Sequence, residues 1–164
     1  MDQHGRIIDY LRISITDRCN ERCLYCMPEG YKGWAQKADH LTAAEVVQVA
    51  EAASKMGFRK FRLTGGEPTI RGDLSEIARG ISVLPGVEAL ALSTNGTRLS
   101  KLGGPLREAG IRSLNISLDA LDPEVYRKVT GSEIAPVLAG IDAARAVGFD
   151  RIKLNCVLMR GVNE

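Results

Sequence analysis

Four short segments alternate apolar with polar residues at a period of two: about Leu11–Thr16, Arg59–Thr64, Arg112–Leu118 and Arg151–Met159. Their polar positions are Arg12/Ser14/Thr16, Lys60/Arg62/Thr64, Ser113/Asn115/Ser117 and Lys153/Asn155. Residues two apart share one face of a strand, so each segment predicts a strand with an apolar and a polar face. A fifth strand is expected at about Glu88–Ser93. Helices are expected between them. Thr42-Ala43-Ala44-Glu45 is a capping box opening a helix to about Met56. Asp73 is expected to cap a helix running to about Val83, and Asp122-Pro123 pairs an N-cap with proline at the first helical position. A last helix is predicted from about Ile134 to Val147. Glycine closes helical stretches at Met56-Gly57-Phe58, Ala109-Gly110-Ile111 and Val147-Gly148-Phe149, and Leu84-Pro85-Gly86-Val87 ends another.

Alternating strands and helices imply right-handed βαβ units and a parallel sheet. A parallel sheet covered on both faces needs near-continuous apolar strands, which these are not. Helices on one face only, with a polar concavity on the other, require the sheet to curl. The predicted fold is α/β: a parallel-stranded, incomplete (partial TIM-like) β/α barrel, represented by its first five strands. A filled barrel would place Val, Ile and Leu in the lumen instead.

Composition narrows the setting. Hydrophobic residues make up 45% and charged residues 26%, as in soluble globular domains. A net charge of +2 is too small for a nucleic-acid footprint. No apolar run reaches bilayer length, and Met1–Arg6 lacks the apolar core of a secretory signal. The expectation is therefore a cytoplasmic protein without nucleic-acid or membrane partners. In a reducing compartment, clustered cysteines point to metal or redox chemistry more than to disulfides.

Three of the four cysteines form Cys19-Asn20-Glu21-Arg22-Cys23-Leu24-Tyr25-Cys26, just after the first strand. Soft thiolates suit iron–sulfur clusters and zinc. Structural zinc needs a fourth ligand, which His40 or Cys156 would have to fold back to supply. Three thiolates alone leave one iron of a [4Fe–4S] cluster open to another ligand, and this reading is preferred. A thioredoxin-like role for Cys23-Leu24-Tyr25-Cys26 fits less well, because Cys19 precedes it. Cys156 is expected in the core. After the second strand comes Gly65-Gly66-Glu67-Pro68, a turn whose glycines would let backbone approach a ligand.

The CxxxCxxC motif with Tyr25 before its last cysteine, followed by Gly65-Gly66-Glu67-Pro68, resembles the radical S-adenosylmethionine (SAM) superfamily. The resemblance implies that Cys19, Cys23 and Cys26 ligate a [4Fe–4S] cluster whose open iron chelates SAM, with cleavage to a 5′-deoxyadenosyl radical. Leu11–Asn20, Arg62–Pro68, Ser93-Thr94-Asn95-Gly96 and Asn115–Ala120 are in turn similar to the GTP 3′,8-cyclase family. These lyases catalyse the first step of molybdenum cofactor biosynthesis, converting GTP to 3′,8-cyclo-7,8-dihydro-GTP. Position by position, the likeness implies SAM contacts from Tyr25, Gly66 and Ser117, and GTP contacts from Arg12, Arg62, Ser93 and Lys153. It also implies an electron donor such as flavodoxin or ferredoxin, and leaves a homodimer open.

Family members continue through a sixth strand to a second cysteine cluster and a Gly-Gly tail. Residues 1–164 are accordingly expected to be the N-terminal part of a radical SAM core domain, without the C-terminal iron–sulfur domain. Ser93 stands where Thr is common. Glu21 replaces a usually apolar residue and is expected to face solvent. Two other functions remain open: a radical SAM enzyme acting on a peptide or protein, and a catalytically incomplete metal-binding fragment. Arg12, Arg62 and Lys153 favour a triphosphate, since three cations in one lumen are costly without an anion. The ordinary alternative is that each pairs with a carboxylate such as Asp17 or Asp119.

Overall fold

The computed structural model describes residues 3, 5, 7–26 and 40–164. The order is β1 (Tyr10–Ser14), α1 (Ala43–Lys55), β2 (Lys60–Thr64), a 3-10 turn (Pro68–Ile70), α2 (Leu74–Ser82), β3 (Ala89–Thr94), α3 (Leu99–Glu108), β4 (Ser113–Ser117), α4 (Pro123–Thr130), α5 (Ala135–Val147) and β5 (Arg151–Asn155). The strands pair in sequence order β1-β2-β3-β4-β5, every pair parallel. Successive right-handed crossovers that always step the same way put every helix on one face and curl the sheet. The sheet is not closed, and β1 and β5 are its edges. The partial barrel expected from the strand pattern is what forms.

One apolar row crosses the whole sheet in register: Ile13, Leu63, Leu92, Leu114 and Ile152. Its three central members are fully buried. The helices cover this face with Val46, Ala50, Ile77, Ile81, Leu99, Leu106, Val137 and Ala144. Burying a leucine side chain contributes about 1.5–3 kcal/mol, so this row fixes which face of each strand turns inward. The polar residues are thereby placed on the opposite, concave face. α5 is seated closely on the turn after β3, where a Cβ on Gly140 would lie 2.2 Å from the Gly96 carbonyl.

Two caps form as expected. Thr42 and Glu45 make the reciprocal capping box, and Asp122 accepts the Glu124 and Val125 N–H groups at 2.9 Å. Asp73 does not cap α2 with its side chain. Its carboxylate is held by Arg71, at 2.6 Å to Nε and 2.9 Å to Nη2. β5 ends at Asn155 rather than Met159, because the chain turns to wrap Asp119. The Val157 N–H donates to Asp119 Oδ1 at 2.9 Å, and Asn163 Nδ2 donates to the Asp119 carbonyl at 2.6 Å. Among the described residues, no helix is long and apolar enough to cross a membrane.

Candidate cluster and substrate site

The cysteine loop leaves the C-terminal end of β1 and is pinned from three sides. From the β2 turn, the Gly66 N–H donates to Thr16 O and the Glu67 N–H to Arg18 O, both at 2.7 Å. From α4, the Thr130 and Val129 carbonyls accept the Arg22 and Leu24 N–H groups at 2.8 and 2.9 Å. From the β3 end, Asn95 Nδ2 donates to Asn20 Oδ1 at 2.9 Å, and Asn20 Nδ2 donates to Thr97 Oγ1 at 3.0 Å.

The close approach that demands glycine is made within this anchor. A Cβ on Gly65 would stand 2.3 Å from Thr16 O, and one on Gly66 2.1 Å from Arg18 O. These contacts involve the chain's own backbone, so the glycines are required here before any ligand arrives. Glu67 is buried and bonded throughout. Its Oε1 accepts from Thr69 N at 3.0 Å, Thr69 Oγ1 at 2.5 Å and Thr94 Oγ1 at 2.7 Å, and its Oε2 accepts from Asn95 N at 2.6 Å. It ties the β2 turn to the β3 end.

Cys19 and Cys23 are partly buried and Cys26 is exposed. The Cys19 thiol is pushed up by burial and by the nearby charges of Glu67, Glu21 and Cys26. Cys23 is pushed up to about 12, by burial and then by Glu21 and other neighbours including Cys19. Among the described residues, no group of three or more His, Cys, Asp or Glu is gathered to hold a single metal ion. The two candidate fourth ligands for zinc are engaged elsewhere. His40 Nε2 lies 2.9 Å from Asp17 Oδ1, and the Cys156 thiol lies 3.5 Å from the Asp119 carbonyl. A zinc ion gathers four ligands at about 2.0–2.3 Å, whereas a cubane takes each thiolate on a different corner. Three cysteines on one anchored loop suit the cubane.

Two expectations about single residues are corrected. Glu21 does not face solvent: it is buried, and Tyr126 donates to its Oε1 at 2.9 Å. Burial raises the Glu21 carboxyl to about 7, against the lowering hydrogen bond from Tyr126. Cys156 is exposed rather than in the core, since it follows the end of edge strand β5.

Of the residues implied for SAM, Tyr25 donates its hydroxyl to Asp119 Oδ2 at 2.7 Å, which sets its ring beside the end of β4. Ser117 is the last residue of β4. Gly66 is in the turn after β2 and is exposed. Gly66 and Ser117 lie at the C-terminal ends of β2 and β4, and Tyr25 lies in the cysteine loop itself.

The four residues implied for GTP share the concave face. Arg12 and Arg62 are register partners on β1 and β2. Ser93, Asn115 and Lys153 form the next row across β3, β4 and β5. Arg62 Nη1 donates to Ser93 Oγ at 3.3 Å. Asp17 and Asp119 are engaged with His40 and Tyr25, not with these cations. Among the described residues neither Arg12 nor Lys153 has an ion-pair partner, whereas Lys60 pairs with Asp9 at 2.8 Å. A cavity of about 840 Å³ is bordered by Thr16, Arg18, His40, Thr42, Arg71 and Glu76. Of its two arginines, Arg71 is bonded to Asp73, Ile15 O and Leu41 O, and Arg18 is not free, so the cationic concave face is the better candidate for an anion.

Sequence reasoning missed Tyr10, Tyr126 and the Asn20–Asn95–Glu67 network. Tyr10 has the right period for the polar face and could have been found by extending the β1 alternation. The others are joined across 28 to 105 residues, and no local signal marks such pairs.

The family model described as the radical SAM superfamily matches residues 13–164. GTP 3′,8-cyclase of Pseudomonas fluorescens (strain Pf0-1) is 48% identical over 165 residues, covering 100% of this chain and 49% of that protein. GTP 3′,8-cyclase of Haemophilus influenzae (strain 86-028NP) is 45% identical over the same span. The chain spans about half the length of the curated relatives it matches. Among solved structures, Streptococcus suis SuiB bound to S-adenosylmethionine aligns with a TM-score of 0.78 at 18% identity, over 93% of this chain and 34% of that one. HydG, a maturase of the [FeFe]-hydrogenase, aligns with a TM-score of 0.73 at 14% identity, over 90% and 34%. At these identities the two structures speak for the fold alone.

Proposed function

The chain belongs to the radical SAM superfamily, and from that premise we propose that residues 1–164 are the N-terminal part of the radical SAM core domain of a GTP 3′,8-cyclase. The observation that carries the substrate is the concave face, which Arg12, Arg62, Ser93 and Lys153 share, with Arg62 bonded to Ser93 and no carboxylate neutralising Arg12 or Lys153 among the described residues. Arginine forks match phosphate oxygens two at a time, and lysine supplies a point charge. A triphosphate offsets the cost of grouping these cations, whereas a peptide backbone does not.

Cys19, Cys23 and Cys26 would hold a [4Fe–4S] cluster on the anchored loop, and that group, when bound, would supply the reducing electron for SAM cleavage. Tyr25, positioned by Asp119, would pack against the adenine of bound SAM, the exposed backbone at Gly66 would meet its methionyl group, and Ser117 would hydrogen-bond it from the end of β4. Arg12, Arg62, Ser93 and Lys153 would hold the triphosphate on the concave face, deeper in the lumen than the cysteine loop. Holding the two reactants at one fixed separation is the chain's main catalytic contribution. The electron comes from a small donor protein such as flavodoxin or ferredoxin, and the free thiols suit the reducing cytoplasm.

The test uses the complete protein, reconstituted anaerobically and reduced, with SAM and GTP. Cyclised nucleotide together with 5′-deoxyadenosine is the expected outcome. 5′-Deoxyadenosine with GTP untouched would overturn the substrate and leave the radical chemistry; neither product would overturn both.

A further inference from the structure

The guanidinium of Arg62 is held in one orientation within the lumen. Its Nε donates to the Tyr10 hydroxyl, its Cζ stands 5.8 Å from the Tyr10 ring centroid, and its Nη1 donates to Ser93 Oγ at 3.3 Å. Tyr10 opens β1 two residues before Arg12 and so faces the same concave side. Its register partner Lys60 is bonded to Asp9 and does not compete for the phenol. Tyr10 therefore meets Arg62 through its hydroxyl at Nε, with the guanidinium beyond the hydroxyl end of the ring.

A free arginine side chain samples many rotamers, and a fork that must meet a phosphate has to give them up on binding. With Nε occupied by Tyr10, the Nη edge is the part of the fork left to meet an anion. We propose that Tyr10 is a positioning residue that aims the Nη edge of Arg62 at a polyphosphate on the concave face. This rests on the reading of that face as the GTP site. Tyr10 touches the arginine, not the reacting atoms, so it acts on affinity and leaves the cluster and SAM alone.

The experiment is a double-mutant cycle in the complete, cluster-loaded protein, reading GTP and inorganic tripolyphosphate affinity by calorimetry in the absence of reductant. Tyr10→Phe keeps the ring and deletes the hydroxyl. It should weaken both ligands by about threefold to tenfold, the range of one lost hydrogen bond, with iron content and SAM affinity unchanged. In an Arg62→Ala background, Tyr10→Phe should have no further effect, because the residue it positions is gone. That loss of effect is what a merely structural role would not produce. Unchanged affinity in Tyr10→Phe, with Arg62→Ala still weak, would overturn the proposal and leave the GTP reading intact. An equal loss in the Arg62→Ala background would overturn it too, since Tyr10 would then act without the arginine. GTP affinity unaffected by Arg62→Ala would overturn the underlying site reading, and the proposal with it.

Discussion

The Tyr126 hydroxyl donates to Glu21 Oε1 at 2.9 Å, and both residues are buried. With the backbone bonds from Arg22 and Leu24 to Thr130 and Val129, it makes the end of α4 one wall of the cysteine loop. A carboxyl pushed up to about 7 by burial depends on each donor it has. Tyr126→Phe should therefore destabilise the protein by about 1–3 kcal/mol, the cost of stranding a buried polar group. Replacing both partners removes the stranded group, so Glu21→Leu/Tyr126→Phe should recover part of the loss. Urea midpoints of the three variants check this. A double variant less stable than Tyr126→Phe would show that Glu21 is held by something else.

Cluster ligation makes a sharp prediction about the cysteines. Cys19→Ala, Cys23→Ala and Cys26→Ala should each lower bound iron by about four per chain, with matching loss of sulfide. Cys156→Ala should leave iron unchanged, because Cys156 is exposed beyond β5 and its thiol meets a carbonyl. Stoichiometric zinc without sulfide would contradict the cluster assignment.

Gly66 predicts a coupled defect. A side chain there would have to displace the Arg18 carbonyl, 2.1 Å from the would-be Cβ, and break the bond from Glu67 N to that same oxygen. Gly66→Val should lower both SAM affinity and iron retention, since Arg18 adjoins Cys19. Calorimetry with SAM and iron analysis on one preparation check it. A variant with full iron and no SAM binding would place the need for glycine at the ligand instead.

Much of this architecture was legible because its signals are local. Period-two alternation marked the faces of β1, β2, β4 and β5, and capping chemistry marked the starts of α1 and α4. α3 was legible only at its glycine end. Gly103, Gly104 and Pro105 all disfavour helix, yet Leu99, Gly103 and Leu106 bury one stripe against α5 and tertiary packing wins. Asp73 failed as a side-chain cap because Arg71, two residues earlier, takes its carboxylate. Glu21 was misplaced because its partner is 105 residues away. The strand cations of the candidate site could be read from periodicity. The network that holds the cysteine loop could not, since each of its bonds joins different crossovers of the barrel.

The cations of the concave face make the last prediction, one about which part of a nucleotide this half of the barrel reads. Arg12 and Arg62 stand side by side in register, and Lys153 belongs to the row one pleat nearer the cysteine loop. All three chemistries suit phosphate oxygens, which GTP and ATP share. Each of Arg12→Ala, Arg62→Ala and Lys153→Ala should weaken GTP binding by about tenfold to a hundredfold, the range for a lost hydrogen bond to a charged group. ATP should weaken by the same factor, leaving the ratio of GTP to ATP affinity where the parent has it. Added salt should cost the variants less than the parent, because one screened attraction is already gone. SAM affinity should hold, since Tyr25 in the cysteine loop and Gly66 and Ser117 at the strand ends share no bonded partner with the three cations among the described residues. Competition calorimetry with both nucleotides at two ionic strengths reads all of these together. If a variant lost GTP while keeping ATP, these strands would be reading the base, and the triphosphate would have to be placed elsewhere.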